Sequence, residues 1–199
     1  MNLFSNDIQE LNLPDAELIY YPNFFSKQDA DNYFFHFKNQ TNWKEDNITI
    51  FGKTYKQPRL TALYSETKKT YSYSNITMYP EVLTKELHSI KQKIEAFSNS
   101  KFNSVLLNLY RHGNDSNGWH ADNEKELGKH PIIASVTFGE ERPFHFKHRH
   151  IKEQRHKLIL QHGSLLLMKG SMQEHWLHQI AKTKKTIGER INLTFRKLT

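Results

Sequence analysis

A histidine and an aspartate stand two positions apart in this chain, as His120 and Asp122. Residues two apart on an extended segment point to the same side, about 6.6 Å from each other along the chain, so both side chains can hold one metal ion. A third ligand is needed, and His178, which precedes the last predicted strand, supplies it, with His175 as the alternative. Two histidines and one carboxylate are the ligand set of many non-haem Fe(II) sites. These residues therefore form a candidate iron site.

The last predicted strand carries the second set of candidate residues. Polar residues occupy every other position and share one face: Arg190, Asn192, Thr194 and Arg196. Two guanidinium groups on one face beside a metal histidine suit an organic dicarboxylate, and six steps of ~3.3 Å separate them. Asn108 and Tyr110 share a face of an earlier strand and offer an amide and a phenol to carboxylate oxygens. The alternative is an ordinary half-exposed strand whose polar face contacts water.

Periodicity predicts the elements that position these residues. Apolar residues recur at helical spacing from Ala30 to Phe37, after the capping pair Ser26 and Asp29, and again from Leu83 to Phe97. From about residue 102 the period becomes two, and glycines separate the short strands. The predicted strands span 105–110, 132–138, 144–147, 158–160, 165–168 and 190–196. We expect helices only in the first half and an α+β fold that is mainly β: a sandwich or jelly roll buttressed by N-terminal helices.

Composition limits the classes of protein. The 199 residues, 37% of them hydrophobic, suit a single domain over 1–199. The absence of cysteine excludes disulfides, thiolate-bound metals and thiol nucleophiles, so any metal must be held by histidines and carboxylates. A net charge of +7 is compatible with a polyanionic partner. Without a long apolar run, an export signal or a heptad seam, we expect a monomer with no membrane contact, located in the cytoplasm, or at the nucleoid or in the nucleus according to the organism.

These motifs together resemble the AlkB family of Fe(II)/2-oxoglutarate-dependent dioxygenases, which oxidatively dealkylate nucleobases, and are most similar to its duplex-DNA-repair branch. The resemblance spans residues from about 51 to the C-terminus. It rests on Asn108-Leu-Tyr110, His120-Ala-Asp122 followed by Glu124, Ile133-Ala-Ser-Val-Thr-Phe-Gly139, His162-Gly-Ser-Leu165, His175-Trp-Leu-His178 and Arg190-x-Asn192-x-Thr194-x-Arg196. It implies a double-stranded β-helix over about 101–199, with helices and a nucleotide-recognition lid over about 1–100.

The resemblance also implies the roles of the site residues. His120, Asp122 and His178 would bind Fe(II) and form the catalytic centre, which leaves His175 without that role. The co-substrate 2-oxoglutarate, used together with O2, would be held by Asn108, Tyr110, Arg190, Asn192, Thr194 and Arg196. Among these, Arg190 would bind the far carboxylate and Arg196 the end nearer the iron.

The implied reaction is direct-reversal DNA repair. Methyl groups would be removed from bases of the 1-methyladenine and 3-methylcytosine type, with release of formaldehyde, succinate and CO2. The segment around Phe51 and Gly52, followed by Arg59, is similar to the finger of the duplex-repair branch, in which an apolar residue fills the space of a flipped-out base. The alternative is a plain β-hairpin with a buried Phe51.

The remaining substrate residues lie in the lid and in two loops. Tyr73 would stack on the flipped base, Tyr71 would bind near its phosphate or base edge, and Glu124 would accept from an exocyclic amino group. Lys184 and Lys185 form a basic cluster that, together with Arg59, would contact phosphates. The alternatives are a pair of core tyrosines and a solvated lysine loop.

Two other functions remain open from the sequence. The same chemistry could act on RNA or on single strands instead of duplex DNA. A protein of this fold could also bind nucleic acid without catalysis, although such a protein would not need the iron ligands or the two arginines.

Overall fold

Two antiparallel sheets form the body of the protein in the computed structural model, which describes residues 8–50, 52–67, 71–73 and 76–199. The strands are β1 (Gln9–Leu13), β2 (Ala16–Tyr21), β3 (Asn47–Ile50), β4 (Lys53–Lys56), β5 (Leu60–Ser65), β6 (Tyr71–Tyr73), β7 (Ile76–Met78), β8 (Ser104–Tyr110), β9 (Asn117–His120), β10 (Ile133–Gly139), β11 (Arg142–His148), β12 (Arg155–Leu160), β13 (Ser164–Lys169), β14 (Trp176–Ile180) and β15 (Arg190–Arg196). The helices are α1 (Lys27–Gln40), α2 (Lys85–Ser98) and α3 (Met172–His175), and a 3-10 turn spans Lys125–Leu127.

The strand order identifies the jelly roll. Within the described residues, the major sheet has seven strands in the order β1-β2-β13-β10-β15-β8-β5, and the minor sheet has four in the order β12-β11-β14-β9. From β8 to β15 the chain passes back and forth between the two sheets, with only β11 and β12 consecutive in one sheet, as in a double-stranded β-helix. This arrangement confirms the predicted fold class.

The two long helices cover one face of the major sheet. Ser26 caps α1 by accepting from the backbone N–H of Asp29, and Thr84 caps α2 by accepting from that of Leu87. Their apolar side chains join those of the sheet in one buried cluster, which includes Ala30, Phe37, Leu87, Ile90, Ile94, Val105, Val136, Phe138, Leu193 and Phe195. The helices therefore buttress the sheet as predicted, and its other face is left to the minor sheet.

Strand β15 lies in the middle of the major sheet, between β10 and β8. Its residues Ile191, Leu193 and Phe195 pack into the helix-covered cluster, so its polar residues point toward the minor sheet. Every residue of β15 is buried. The half-exposed strand considered as an alternative is therefore wrong, because the polar face is enclosed by protein and not by bulk water.

The periodicity analysis missed several elements. Strands β1 and β2 extend the major sheet, since Tyr20 pairs with Leu166 of β13, although the first fifty residues were expected to add only a helix. Strand β5 pairs with β8, and β9 and β14 belong to the minor sheet. The expectation that helices are confined to the first half is wrong for α3, a single turn that is too short to show helical periodicity.

Two further hairpins lie where the finger and the lid were predicted. Strands β3 and β4 pair with Ile50 opposite Lys53, and Gly52 in the turn has a φ of 75°, which favours glycine. Strands β6 and β7 pair with Tyr71 opposite Met78. No helix in the described ranges is both long enough and apolar enough to cross a membrane.

Candidate functional site

A cavity lies between the two sheets. Its lining includes every residue predicted for iron and for the co-substrate: Asn108, Tyr110, His120, Asp122, His178, Arg190, Asn192, Thr194 and Arg196. The structure therefore brings together residues that are spread over most of the C-terminal half of the chain.

Three side chains converge at one end of this cavity. Strands β9 and β14 pair with His120 opposite His178, and Asp122 follows two residues after the end of β9. Their possible ligand atoms all lie within 4.8 Å of one another, and Asp122 Oδ2 is 4.0 Å from His178 Nε2. His175 lies on α3, where its ring stacks against His148 at 5.8 Å. This placement selects His178 over His175 as the third member of the site.

Hydrogen bonds set the tautomer of His120. Its Nδ1 lies 2.7 Å from the carbonyl oxygen of Gly118, which can only accept, so Nδ1 carries the hydrogen. Its Nε2 therefore presents a lone pair, which accepts from the amide of Asn117 at 3.0 Å. A histidine that binds a metal through Nε2 needs this tautomer, with Nδ1 held by a carbonyl.

Burial sets the charges of the three side chains. It lowers the pKa of His178 to about 3 and also lowers the pKa of His120, so both rings are neutral at neutral pH. Burial alone would raise the pKa of Asp122, but the charge and hydrogen bond of Arg196, together with the neighbouring His178 and His120, outweigh it and the pKa is lowered. Two neutral imidazoles and one carboxylate are thus ready to bind a divalent ion without first losing protons.

Arg196 lies at the metal end of the cavity. Its Nη2 donates to Oδ1 of Asp122 at 2.7 Å, and this guanidinium is 4% exposed. The backbone N–H of Asp122 donates to Oε1 of Gln173 at 2.9 Å. The carboxylate and the backbone of Asp122 are therefore held by two different side chains.

Arg190 lies at the other end of the same strand and is 1% exposed. Its Nη2 donates to Thr137 Oγ1 and to Asn192 Oδ1, at 2.9 and 2.7 Å. Its Nε and Nη1 have no well-aligned hydrogen bond within the described residues, and its guanidinium carbon lies 5.2 Å from the ring centre of Tyr110. Burial lowers its pKa to about 10, which still leaves it charged. Tyr110 is the remaining polar partner of this guanidinium. A buried cation is costly unless an anion binds it, so this end of the cavity suits a carboxylate.

The two asparagines of the cavity play different parts. Asn192 uses both ends of its amide within the protein, because its oxygen accepts from Arg190 and Ser135 and its nitrogen donates to Thr194. Asn108 accepts from Nε of Arg59 at 2.8 Å through its oxygen. Its amide nitrogen is therefore the end left to donate to a bound molecule.

Comparisons with known proteins agree with this geometry. The model of the 2OG-Fe(II) oxygenase superfamily matches residues 17–196. Alpha-ketoglutarate-dependent dioxygenase alkB homolog 3 of cattle (Bos taurus) is 40% identical over 184 residues, which cover 88% of this chain and 64% of that protein. Human DNA oxidative demethylase ALKBH2 is 35% identical over 191 residues, which cover 89% of this chain and 72% of that protein. The chain belongs to the AlkB family. It spans a little under two thirds of the length of its alkB homolog 3 relative.

A solved structure supports the fold of this AlkB-family chain. The structure of OsALKBH1 superposes with a TM-score of 0.70 at 17% identity, over 96% of this chain and 99% of that one. At this identity the likeness concerns the fold alone. It agrees with the jelly roll described above.

The family's name specifies Fe(II) and 2-oxoglutarate, and the residues of this AlkB-family cavity fit both. The neutral His120 and His178 with ionised Asp122 match the facial set of two histidines and one carboxylate. The buried Arg190 guanidinium, whose Nε and Nη1 have no well-aligned hydrogen bond within the described residues, matches the far carboxylate of a dicarboxylate. The assignment of Arg190 to the far carboxylate and of Arg196 to the iron end agrees with their positions, although their individual roles stay predictions.

Arg59 lies in a different environment from the one expected. Its side chain is 4% exposed and lines the cavity, where it donates to Asn108 and to the carbonyl oxygen of Ser116. The expected contact with a nucleic-acid phosphate stays a prediction.

The other substrate residues lie outside the cavity lining or outside the described residues. Glu124 is half-buried and precedes the 3-10 turn, and it does not line the described cavity. Lys184 and Lys185 are exposed on the loop between β14 and β15, which the Thr183 N–H anchors by donating to Gly113. Their substrate contacts stay predictions.

The predicted finger and lid residues cannot be placed in the same way. Phe51 lies outside the described residues, whereas Gly52 forms the exposed turn of the β3–β4 hairpin. For Tyr71 and Tyr73 only the strand β6 is described, and their side chains are outside the description. The roles of these residues also stay predictions.

Several residues that support the site were not predicted from the sequence. Ser135 donates to Asn192, and Thr137 accepts from Arg190. They stand two apart on the predicted strand 132–138, so period two could have placed both on the cavity face. Gln173 gave no such signal, because its contact with Asp122 joins residues 51 positions apart.

Proposed function

We propose that this protein is a dioxygenase that uses Fe(II), 2-oxoglutarate and O2 to demethylate alkylated bases in nucleic acid. The observation that carries the proposal is the arrangement of one cavity. Two neutral histidines and one ionised aspartate lie at one end, and a buried arginine whose Nε and Nη1 have no well-aligned hydrogen bond within the described residues lies at the other.

The chain's own residues prepare this cavity for the reaction. His120, Asp122 and His178 would hold Fe(II), which together with 2-oxoglutarate and O2 supplies oxidative removal of an N-methyl group, with formaldehyde, succinate and CO2 as products. Arg190 would pair with the far carboxylate of 2-oxoglutarate, and the amide nitrogen of Asn108 offers a further donor.

Enclosure of the charged groups favours both metal binding and 2-oxoglutarate binding. Arg196 compensates the buried charge of Asp122, so the carboxylate stays ionised while it faces the metal position. Thr137 and Asn192 hold the Arg190 guanidinium in one orientation before the co-substrate arrives. Such preorganisation lowers the cost of binding, because fewer side chains must be ordered.

We infer that the substrate is DNA carrying bases such as 1-methyladenine or 3-methylcytosine. Methylation at these positions places a positive charge on the base, which an aromatic face and a carboxylate such as Glu124 would favour over an undamaged base. The exposed Lys184 and Lys185 and the net charge of +7 suit a phosphate backbone. The β3–β4 hairpin lies where the finger is expected and supports duplex DNA as the form bound.

The test uses purified protein with Fe(II), ascorbate and 2-oxoglutarate. Oligonucleotides that carry one 1-methyladenine are supplied as duplex DNA, single-stranded DNA and RNA, and mass spectrometry follows loss of the methyl group. We expect loss that requires 2-oxoglutarate and is greatest for duplex DNA. A preference for RNA or single-stranded DNA would contradict duplex DNA as the substrate but would leave the proposed reaction unchanged.

A matched control separates catalysis from binding. His120→Ala protein is assayed beside the wild type, with binding of the same oligonucleotides measured by fluorescence anisotropy. Binding without demethylation by metal-loaded wild type on all three substrates would favour the non-catalytic nucleic-acid-binding protein. Full activity of His120→Ala would contradict the assignment of the metal site.

A further inference from the structure

Gln173 lies on the segment that leads to His178, and its side chain contacts the backbone of Asp122. Its side chain is 1% exposed. Its Oε1 accepts from the backbone N–H of Asp122 at 2.9 Å, and its Nε2 lies 3.6 Å from Sδ of Met168, which lines the cavity. Both ends of this amide are therefore engaged at the wall of the site.

Asp122 needs such an anchor because it lies beyond the end of a strand. Strand β9 ends at His120, and regular structure resumes only at the turn Lys125–Leu127. The N–H of Asp122 thus donates to a side chain and not to a neighbouring strand. Since Arg196 holds the carboxylate and Gln173 holds the backbone, the two contacts restrict Asp122 at both ends.

The position of Gln173 along the chain links the two halves of the metal site. It belongs to α3, and α3 leads directly into β14, which carries His178. Asp122 belongs to the segment that also carries His120. The hydrogen bond between Gln173 and Asp122 therefore joins the two ligand-bearing segments next to the ion position, in addition to the pairing of β9 with β14.

We propose that Gln173 is a positioning residue that sets the affinity of this site for a divalent metal ion. The inference rests on the proposed function, because it takes His120, Asp122 and His178 as metal ligands. Groups that orient metal ligands without touching the ion typically change affinity by about 10- to 100-fold when they are removed. Gln173 stands in that relation to Asp122.

The experiment measures metal binding directly and needs no turnover. Metal-free wild-type, Gln173→Met and Gln179→Met proteins are titrated with Co(II), with isothermal calorimetry for affinity and visible absorption for coordination geometry. Methionine keeps the length of glutamine but lacks the acceptor for the Asp122 N–H. We expect Gln173→Met to bind Co(II) at least about tenfold more weakly than wild type, with an altered absorption spectrum.

Gln179→Met is the matched control. Gln179 follows His178 on β14, but its side chain is half-buried on the opposite face of the strand. We expect its Co(II) affinity and spectrum to equal those of wild type. If Gln173→Met also keeps the wild-type affinity and spectrum, Gln173 serves only packing and the inference is wrong.

Two further proteins keep the test decisive. If Gln173→Met does not fold, Gln173→Asn replaces it, because asparagine keeps the polar amide but is one methylene too short to reach Asp122. We expect the same weakening, and unchanged binding would overturn the inference. His120→Ala distinguishes the two proposals. If it binds Co(II) as wild type does, the assignment of the metal site is wrong. If His120→Ala loses Co(II) binding but the Gln173 variants keep the wild-type affinity, only the inference about Gln173 is wrong and the proposed function stands.

Discussion

The described part of the chain contains two groups of two histidines and one aspartate whose possible ligand atoms lie within 4.8 Å of one another. One is His120, Asp122 and His178 in the cavity, and the other is Asp15, His148 and His175 at the far end of the minor sheet. Residue types and distances are alike in the two groups. Their hydrogen bonds are not.

The difference lies in which ring nitrogen carries the hydrogen. His120 donates from Nδ1 to a carbonyl oxygen, so its Nε2 offers a lone pair to the site. His148 accepts at Nδ1 from the backbone N–H groups of His150 and Ile151, at 3.1 and 3.0 Å. Its Nε2 must therefore carry the hydrogen, and it donates to Asp15 Oδ2 at 3.3 Å. A ring held in this tautomer has no lone pair for a metal ion at Nε2.

The second group has a structural role instead. Asp15 lies in the turn between β1 and β2. In this turn the carbonyl oxygen of Pro14 accepts from Trp176 Nε1, and that of Asp15 accepts from Ser171 Oγ. Together with the His148 contact, these bonds fasten the N-terminal hairpin to the segment around α3. In this protein the backbone partners of each histidine, and not its distance to other possible ligands, distinguish the metal site from the anchor.

Removal of one histidine from each group should give the largest contrast. We expect His178→Ala to lower demethylation at least about 1,000-fold, because a bound metal lowers the barrier by several kcal/mol and about 1.4 kcal/mol corresponds to tenfold. His148→Ala should retain most of the activity of the folded protein. Initial rates on a 1-methyladenine oligonucleotide measure both. Equal losses in the two variants would remove the distinction between the groups.

The buried Arg190 should matter for the co-substrate and not for the metal. We expect Arg190→Met to weaken 2-oxoglutarate binding by about 100-fold, since truncating one partner of a buried charge pair costs about 2–5 kcal/mol. Calorimetric titration of the Mn(II)-loaded protein with 2-oxoglutarate measures this loss, and Mn(II) titration alone should match wild type. Unchanged 2-oxoglutarate affinity would place the dicarboxylate elsewhere.

The rise in Tm on metal binding distinguishes the two groups without an activity assay. A ligand at 100 times its dissociation constant stabilises a folded protein by about 2.7 kcal/mol, which raises Tm by about 5–10 °C for a protein of this size. We expect this shift on adding Mn(II) to metal-free wild type and to His148→Ala. His120→Ala should show no shift in the same calorimetric scan. A missing shift in His148→Ala alone would make the second group the metal site.

Local pattern was sufficient to predict β15 and the face that it turns to the cavity. Arginine, asparagine and threonine at every second position identified the cavity face, and the fold confirmed it because that face is enclosed between two sheets. The hairpin of β1 and β2 was missed because its partner is distant in sequence: Tyr20 pairs with Leu166. Strand β5 was missed for the same reason, with Ala62 opposite Leu107.

Chemical detail beyond residue type also required the fold. The sequence predicted His120 as a ligand but not its tautomer, which depends on the Gly118 carbonyl oxygen at 2.7 Å. It predicted a phosphate contact for Arg59 but not that the side chain is enclosed and orients Asn108. Composition and spacing identify which groups are present, but burial and hydrogen-bond partners decide which form each group takes.

Asp15 provides the smallest and most specific test of the anchor. Its φ is 56°, a left-handed conformation that aspartate and asparagine tolerate better than alanine, and its carboxylate accepts from His148. We expect Asp15→Ala to lower the free energy of unfolding by about 1–3 kcal/mol, through backbone strain and the lost acceptor. Asp15→Asn keeps both features and should lose less. Urea denaturation measures these changes, while Mn(II) affinity should stay at the wild-type value in both variants. A loss of metal affinity in Asp15→Ala would mean that the hairpin anchor influences the cavity, because the two groups lie on segments joined through α3 and β14.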